Sequence, residues 1–210
     1  MSLALTGPFV ALTVLAALGL LFAERRGSQL GKWVLKPLAA VGFVGAALAS
    51  GALGALYGRA ILCALVLSLA GDTLLVPKGT GATFRAGMLA FLLAHVAFIV
   101  AFATRATFSP AALLRVGACL TVCGFAAVPL VRRAPPRLRA PVVAYAAALS
   151  SMVATAALTG EPRLATAAAL FLASDAFVAL HRFTKPIFAF KVLAAPLYYG
   201  AQIVFATSVG

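Results

Sequence analysis

The sequence predicts an all-α polytopic membrane protein, a bundle of eight transmembrane helices forming one domain over residues 1–210. Three observations point there. Hydrophobic types make up 64% of the 210 residues and charged types only 10%, whereas a water-soluble domain carries about 25% charged residues. Mean hydropathy is +1.10. Apolar runs recur along the whole chain, each long enough to cross roughly 30 Å of hydrocarbon at ~1.5 Å per residue. These features exclude a soluble globular or disordered chain. Eight spans with short connections leave no length for a soluble domain.

The first run is Leu3–Ala23. No basic stretch precedes it, and Glu24-Arg25-Arg26 stands where a signal peptide would have a small-residue cleavage site, so it is expected to remain as the first helix. Arg25-Arg26-Gly27 breaks the chain before the second run, Val34–Leu53. Only the uncharged Gly51–Gly58 stretch separates that run from Arg59–Val76, but Val34–Val76 is too long for a single span. Pro77-Lys78-Gly79 precedes the fourth run, Arg85–Ala103, and the fifth is Pro110–Val131. Pro135-Pro136, Gly160-Glu161-Pro162 and Lys185-Pro186 then set off Pro141–Leu158, Leu164–Leu180 and Ile187–Ser208. The runs are continuously apolar, which favours helices over the alternating strands of a barrel. Small-residue stretches such as Gly42-Phe43-Val44-Gly45-Ala46 suit close helix approach.

The chain holds 17 Lys and Arg against 4 Asp and Glu, a net charge of +13. In a membrane protein that excess belongs to cytoplasmic loops facing anionic lipid headgroups rather than to nucleic acid. Thirteen basic residues lie in or beside the odd-numbered loops: Arg25, Arg26, Lys32, Lys36, Lys78, Arg85, Arg132, Arg133, Arg137, Arg139, Arg182, Lys185 and Lys191. Four lie in or beside the even ones: Arg59, Arg105, Arg115 and Arg163. The odd loops are therefore expected to be cytoplasmic and both termini non-cytoplasmic, in the inner (cell) membrane of a bacterium. Cys63, Cys119 and Cys123, odd in number and set in apolar runs, argue against a disulfide framework.

Of the four acidic residues, Glu24 and Glu161 fall at the breaks, while Asp72 and Asp175 fall inside apolar runs. A carboxylate at the bilayer centre costs about 2.5–3.5 kcal/mol even on a lenient insertion scale, so both are functional candidates. By helix rise, Asp72 lies roughly 6 Å and Asp175 roughly 8 Å from the cytoplasmic ends of their helices, at matching depth. Ser68, at i−4, shares the face of Asp72, whereas Ser174 points about 100° away from Asp175. His95 falls near mid-membrane, as a ligand, a proton carrier or a structural hydrogen-bonding group. Lys36 precedes Pro37 at the cytoplasmic start of the second run, suited to snorkelling or to a phosphate contact. Tyr145 matches the depth of the carboxyls. Tyr198, Tyr199 and Gln202 form a polar group in the last run, with Tyr198 and Gln202 on one face.

No metal and no other cofactor is expected. The chain has no HExxH, no CxxC and no His cluster on one helix, and His95 and His181 differ by roughly 20 Å in depth.

The motifs Ser68-Leu69-Ala70-Gly71-Asp72-Thr73, Phe84-Arg85-Ala86-Gly87 with His95, and Ala173-Ser174-Asp175 with Arg182-Phe183 resemble those of the YhhN family of bacterial membrane proteins, which is related to eukaryotic lysoplasmalogenases. Lys36-Pro37-Leu38, the Tyr145 segment and Tyr198-Tyr199-Gly200-Ala201-Gln202 extend the resemblance over nearly the whole chain. Phe98 stands where that family often has Tyr, and His181 where it often has Asn.

The resemblance implies a hydrolase that cleaves the vinyl ether of a lysoplasmalogen into a fatty aldehyde and glycerophosphoethanolamine or glycerophosphocholine. Its partners are then a lysophospholipid substrate and membrane lipids, with no nucleic acid. Vinyl ether hydrolysis begins with protonation of the β-carbon, which needs a carboxyl that keeps its proton near neutral pH. It also needs a negative partner for the resulting cation. Asp72 and Asp175 suit that division of roles as a catalytic pair. Lys36 and Arg182 at the rim would hold the phosphate, with Ser68, His95, Tyr145, Ser174, Tyr198 and Gln202 lining the substrate. The competing reading is a proton-coupled transporter or lipid-binding membrane protein using the same Asp pair, although no inverted repeat or paired broken helices are visible.

Overall fold

A computed structural model describes residues 3–77, 79–184 and 186–210, with side chains from Leu5 onward. Lys78 and Lys185, both in the charge count above, lie outside the described residues. The described chain is all-helical: α1 (Leu3–Arg25), α2 (Gln29–Ala49), α3 (Leu56–Leu74), α4 (Ala82–Ala103), α5 (Pro110–Arg133), α6 (Arg139–Leu158), α7 (Pro162–Phe183) and α8 (Phe188–Ala206), with a single 3₁₀ turn (Pro136–Leu138) before α6. Eight helices among the described residues are long and apolar enough to cross a membrane. The protein is a multi-pass integral membrane bundle.

The helix ends differ from the apolar runs for local reasons. α2 starts at Gln29, well before Val34, because the Ser28 side chain accepts the Gly31 N–H and caps the first turn. Lys32 and Lys36 are therefore helical, and Lys36-Pro37 lies two turns inside α2 rather than at its start. α3 stops at Leu74, only two residues beyond Asp72, where the Leu75 N–H closes on the Gly71 carbonyl just ahead of Pro77. α7 continues to Phe183, eight residues beyond Asp175. Asp72 thus lies two residues and Asp175 eight residues from the ends of their helices. Ser109 caps α5 through the Ala112 N–H, and Pro110 and Pro162 occupy first-turn positions of α5 and α7, where a missing N–H is harmless.

Sequence neighbours pair as α1/α2, α3/α4, α5/α6 and α7/α8. α2, α3, α4, α6, α7 and α8 enclose a core whose largest fully buried side chains are Phe43, Phe98, Phe102, Phe171 and Phe205. Among the described residues α5 packs only on α6 and α7, and it presents Leu114, Phe125 and Val122 outward, as a lipid-facing helix does. The small residues act at specific crossings. A Cβ on Gly42 would stand 2.3 Å from Thr13 Oγ1 and 2.9 Å from the Phe9 carbonyl, so the α1/α2 contact admits only glycine there. A Cβ on Gly71 would meet the Phe91 ring at 2.6 Å, and Gly71 is the residue before Asp72.

Candidate active site

Six helices send polar side chains to the centre of the bundle, among them Lys36 from α2, Asp72 from α3, His95 from α4, Tyr145 from α6, Asp175 from α7 and Tyr198 from α8. They form two adjoining halves. In the first, Asp72 is buried, with Tyr198 Oη donating to Oδ2 at 2.7 Å and Lys36 Nζ lying 3.2 Å from Oδ1. In the second, Tyr145 Oη donates to Asp175 Oδ2 at 2.5 Å, and His95 Nε2 stands 4.0 Å from the same oxygen.

Apolar rings fix the distance between them. Phe171 lies edge-on to His95 with centroids 5.1 Å apart and edge-on to Tyr198 at 5.3 Å. Phe91 packs edge-on against both Phe171 and Tyr198. His95 is also edge-on to Tyr145 at 5.0 Å. Such contacts orient rings without using their polar atoms.

Polar groups are left over inside this centre. Ser68 Oγ, both His95 ring nitrogens, Tyr199 Oη and both ends of the Gln202 amide are buried without a hydrogen-bond partner among the described residues. Buried polar atoms are normally paired, so their concentration around two carboxyls marks a candidate site for a polar guest. Ser68 shares the Asp72 face but does not bond to it. Gln202 stands beside Tyr198. Ser174 is buried and makes no hydrogen bond to either carboxylate among the described residues.

Arg182 lies elsewhere. It donates through Nη2 to the Gly79 carbonyl, and its guanidinium sits over the Phe84 ring 4.3 Å from the centroid. Glu24, assigned above to a break, is in the last turn of α1 and takes Lys191 Nζ at 2.6 Å and Lys32 Nζ at 3.7 Å, tying α1 to α8 and α2. Sequence reasoning grouped Tyr199 with Tyr198 and Gln202 but did not single out Phe171 or Phe91, which look like any other core residue in sequence. Among the described residues no group of three or more His, Cys, Asp or Glu is placed to hold a metal ion.

This arrangement can bind a polar group in an apolar surround, hold a carboxylate against a lysine, and present a second carboxyl that lacks a lysine partner. Residues 31–209 match the model of the YhhN family. Two curated proteins called lysoplasmalogenase, from Mycobacterium bovis (strain ATCC BAA-935 / AF2122/97) and Mycobacterium tuberculosis (strain CDC 1551 / Oshkosh), are each 39% identical over 148 residues, 67% of this chain and 55% of the relative. The chain thus spans about half the length of the curated relatives it matches. No solved structure gives a significant match.

Proposed function

This chain belongs to the YhhN family, and from that premise we propose that it is a lysoplasmalogenase-like hydrolase, taking a lysophospholipid with a vinyl ether chain and releasing a fatty aldehyde and a glycerophospho-headgroup. The similarity to relatives named lysoplasmalogenase supports the substrate class. The observation that carries the reading at this site is the pair of buried carboxyls with unlike partners, Lys36 and Tyr198 on Asp72, Tyr145 and His95 on Asp175.

A vinyl ether is cleaved without a nucleophilic side chain. A carboxyl proton passes to the β-carbon as the C=C π pair forms the new C–H bond, leaving an oxocarbenium ion. Water adds to the α-carbon and gives up a proton, and the resulting hemiacetal breaks its bond to the glycerol oxygen, which takes the proton. Asp72 and Asp175 supply the acid and the negative charge facing the cation. The alkenyl chain lies among the core helices. Lys36 has three donors and spends one on Asp72, and Arg182 has five and spends one on the Gly79 carbonyl, so both keep donors for the phosphate. Ser68, Ser174, Tyr198 and Gln202 line the substrate. The single domain sits in the bacterial inner membrane with its basic odd loops cytoplasmic and both termini outside.

The test is incubation of purified, detergent-solubilised protein with alkenyl and acyl lysophospholipids of equal chain length, followed by mass spectrometry. Aldehyde from the vinyl ether and no fatty acid from the ester is the expected result, because ester cleavage needs a nucleophile and oxyanion donors. No aldehyde from any lysoplasmenyl headgroup overturns the reading.

A further inference from the structure

His95 has no exposed surface and no hydrogen bond on either ring nitrogen among the described residues. Its rings of contact are aromatic: Tyr145 and Phe171 meet it edge-on. A buried imidazole used only for packing is an expensive choice, since each unpaired polar atom forfeits its water hydrogen bond. The ring is nevertheless aimed. Nε2 lies 4.0 Å from Asp175 Oδ2, too far for a direct hydrogen bond and near enough for one water to reach both. A water held by two polar partners in a polar site is a stable arrangement.

The two carboxyls differ in what they have free. Both Asp72 oxygens are occupied, Oδ1 by Lys36 and Oδ2 by Tyr198. On Asp175 only Oδ2 accepts a hydrogen bond among the described residues, from Tyr145. Proton exchange with a substrate and a water therefore has room at Asp175.

We propose that His95 and Asp175 together hold the water that hydrolyses the oxocarbenium ion, making His95 a water-positioning residue. This rests on the vinyl ether reading above. With the proton on Nδ1, His95 Nε2 accepts one water hydrogen, and Asp175 accepts the other after giving its own proton to the β-carbon. The water oxygen forms the bond to the α-carbon, and its proton restores the Asp175 carboxyl. Asp72 stays paired with Lys36 throughout and faces the cation.

Protonation is committed only if water is waiting. In D₂O, wild-type protein should release aldehyde carrying one deuterium at the former β-carbon while the unreacted substrate stays unlabelled. In His95→Phe the cation outlives the missing water and returns a proton to Asp175, so recovered substrate gains deuterium at the vinyl carbon. Turnover should fall about 10²-fold, the lower end of the range for removing a proton-transfer arrangement. His95→Gln keeps a hydrogen-bonding group at that height and should show less exchange and faster turnover than His95→Phe. Both variants are checked for monodispersity, and Gln decides the case if Phe does not fold. Deuterium in recovered substrate supports the water site, because a merely structural loss slows turnover without exchange. Active wild type with no exchange in either variant overturns the water site alone. Inactive wild type takes down the hydrolase reading and this inference together.

Discussion

Lys36 and Asp72 form an ion pair inside the bundle, Nζ 3.2 Å from Oδ1, with the carboxylate side chain 3% exposed and the lysine 22%. The lysine reaches the site because α2 begins at Gln29 and carries Lys36 two turns inward. Removing one partner of a buried pair costs about 3–5 kcal/mol, less where one partner keeps some solvent. Lys36→Met should therefore lower the thermal midpoint and abolish most aldehyde release. The double variant Lys36→Met/Asp72→Leu removes the orphaned charge and should recover stability without recovering activity. Thermal unfolding and aldehyde release, measured on the same preparations, separate the two effects.

Asp72→Asn and Asp175→Asn preserve shape and should each lose at least ~10²-fold in turnover, within the range for general acid–base catalysis. Members of one catalytic unit are non-additive, so the double variant should be little worse than the worse single one. Full activity in either single variant removes that residue from the mechanism.

The other two acids should behave differently from the Asp pair and from each other. Glu161 makes one exposed pair, with Arg105 at 3.3 Å, worth ~1 kcal/mol at most, so Glu161→Gln should be near neutral in every assay. Glu24 links three helices through two lysines, so Glu24→Gln should lower the thermal midpoint measurably while leaving turnover near wild type. A large activity loss with unchanged stability would contradict this division.

Activity should survive exhaustive chelation, since among the described residues no three potential ligands converge. Loss on chelation with recovery on adding zinc would replace the acid–base scheme with a metal-assisted one.

A reporter fused after Gly210 should read out on the non-cytoplasmic side. The basis is thirteen basic residues in and beside odd loops against four in and beside even ones. A cytoplasmic signal reverses the topology and puts the open side of Lys36 on the opposite face of the membrane.

The eight helices were legible in the sequence because hydropathy reports the solvent directly, and a lipid-facing helix must be apolar over its whole length. Helix ends were less so. The stretch from Gln29 to Trp33 falls outside the apolar run and becomes helix through the Ser28 cap. That error carried over to Lys36, whose pairing with Asp72 was not anticipated. Asp72 and Asp175 stood out because buried charge is costly. Their separate partnerships with Tyr198 and Tyr145 depend on which helices neighbour which, and no single chain pattern encodes that. Arg182 illustrates the same limit, since no chain pattern announces that its guanidinium meets the Gly79 carbonyl and the Phe84 ring.

That carbonyl belongs to Gly79, in the turn that follows α3, and Arg182 is the penultimate residue of α7. Arg182 thus tethers the last turn of the Asp175 helix to the segment between α3 and α4, like a guy rope pegged beyond the tent. The tether lies away from any reacting atom. A misplacement of about 1 Å from a remote change can cost 10²-fold in rate, so slackening it would let the Asp175 helix wander. Turnover would then suffer more than substrate affinity.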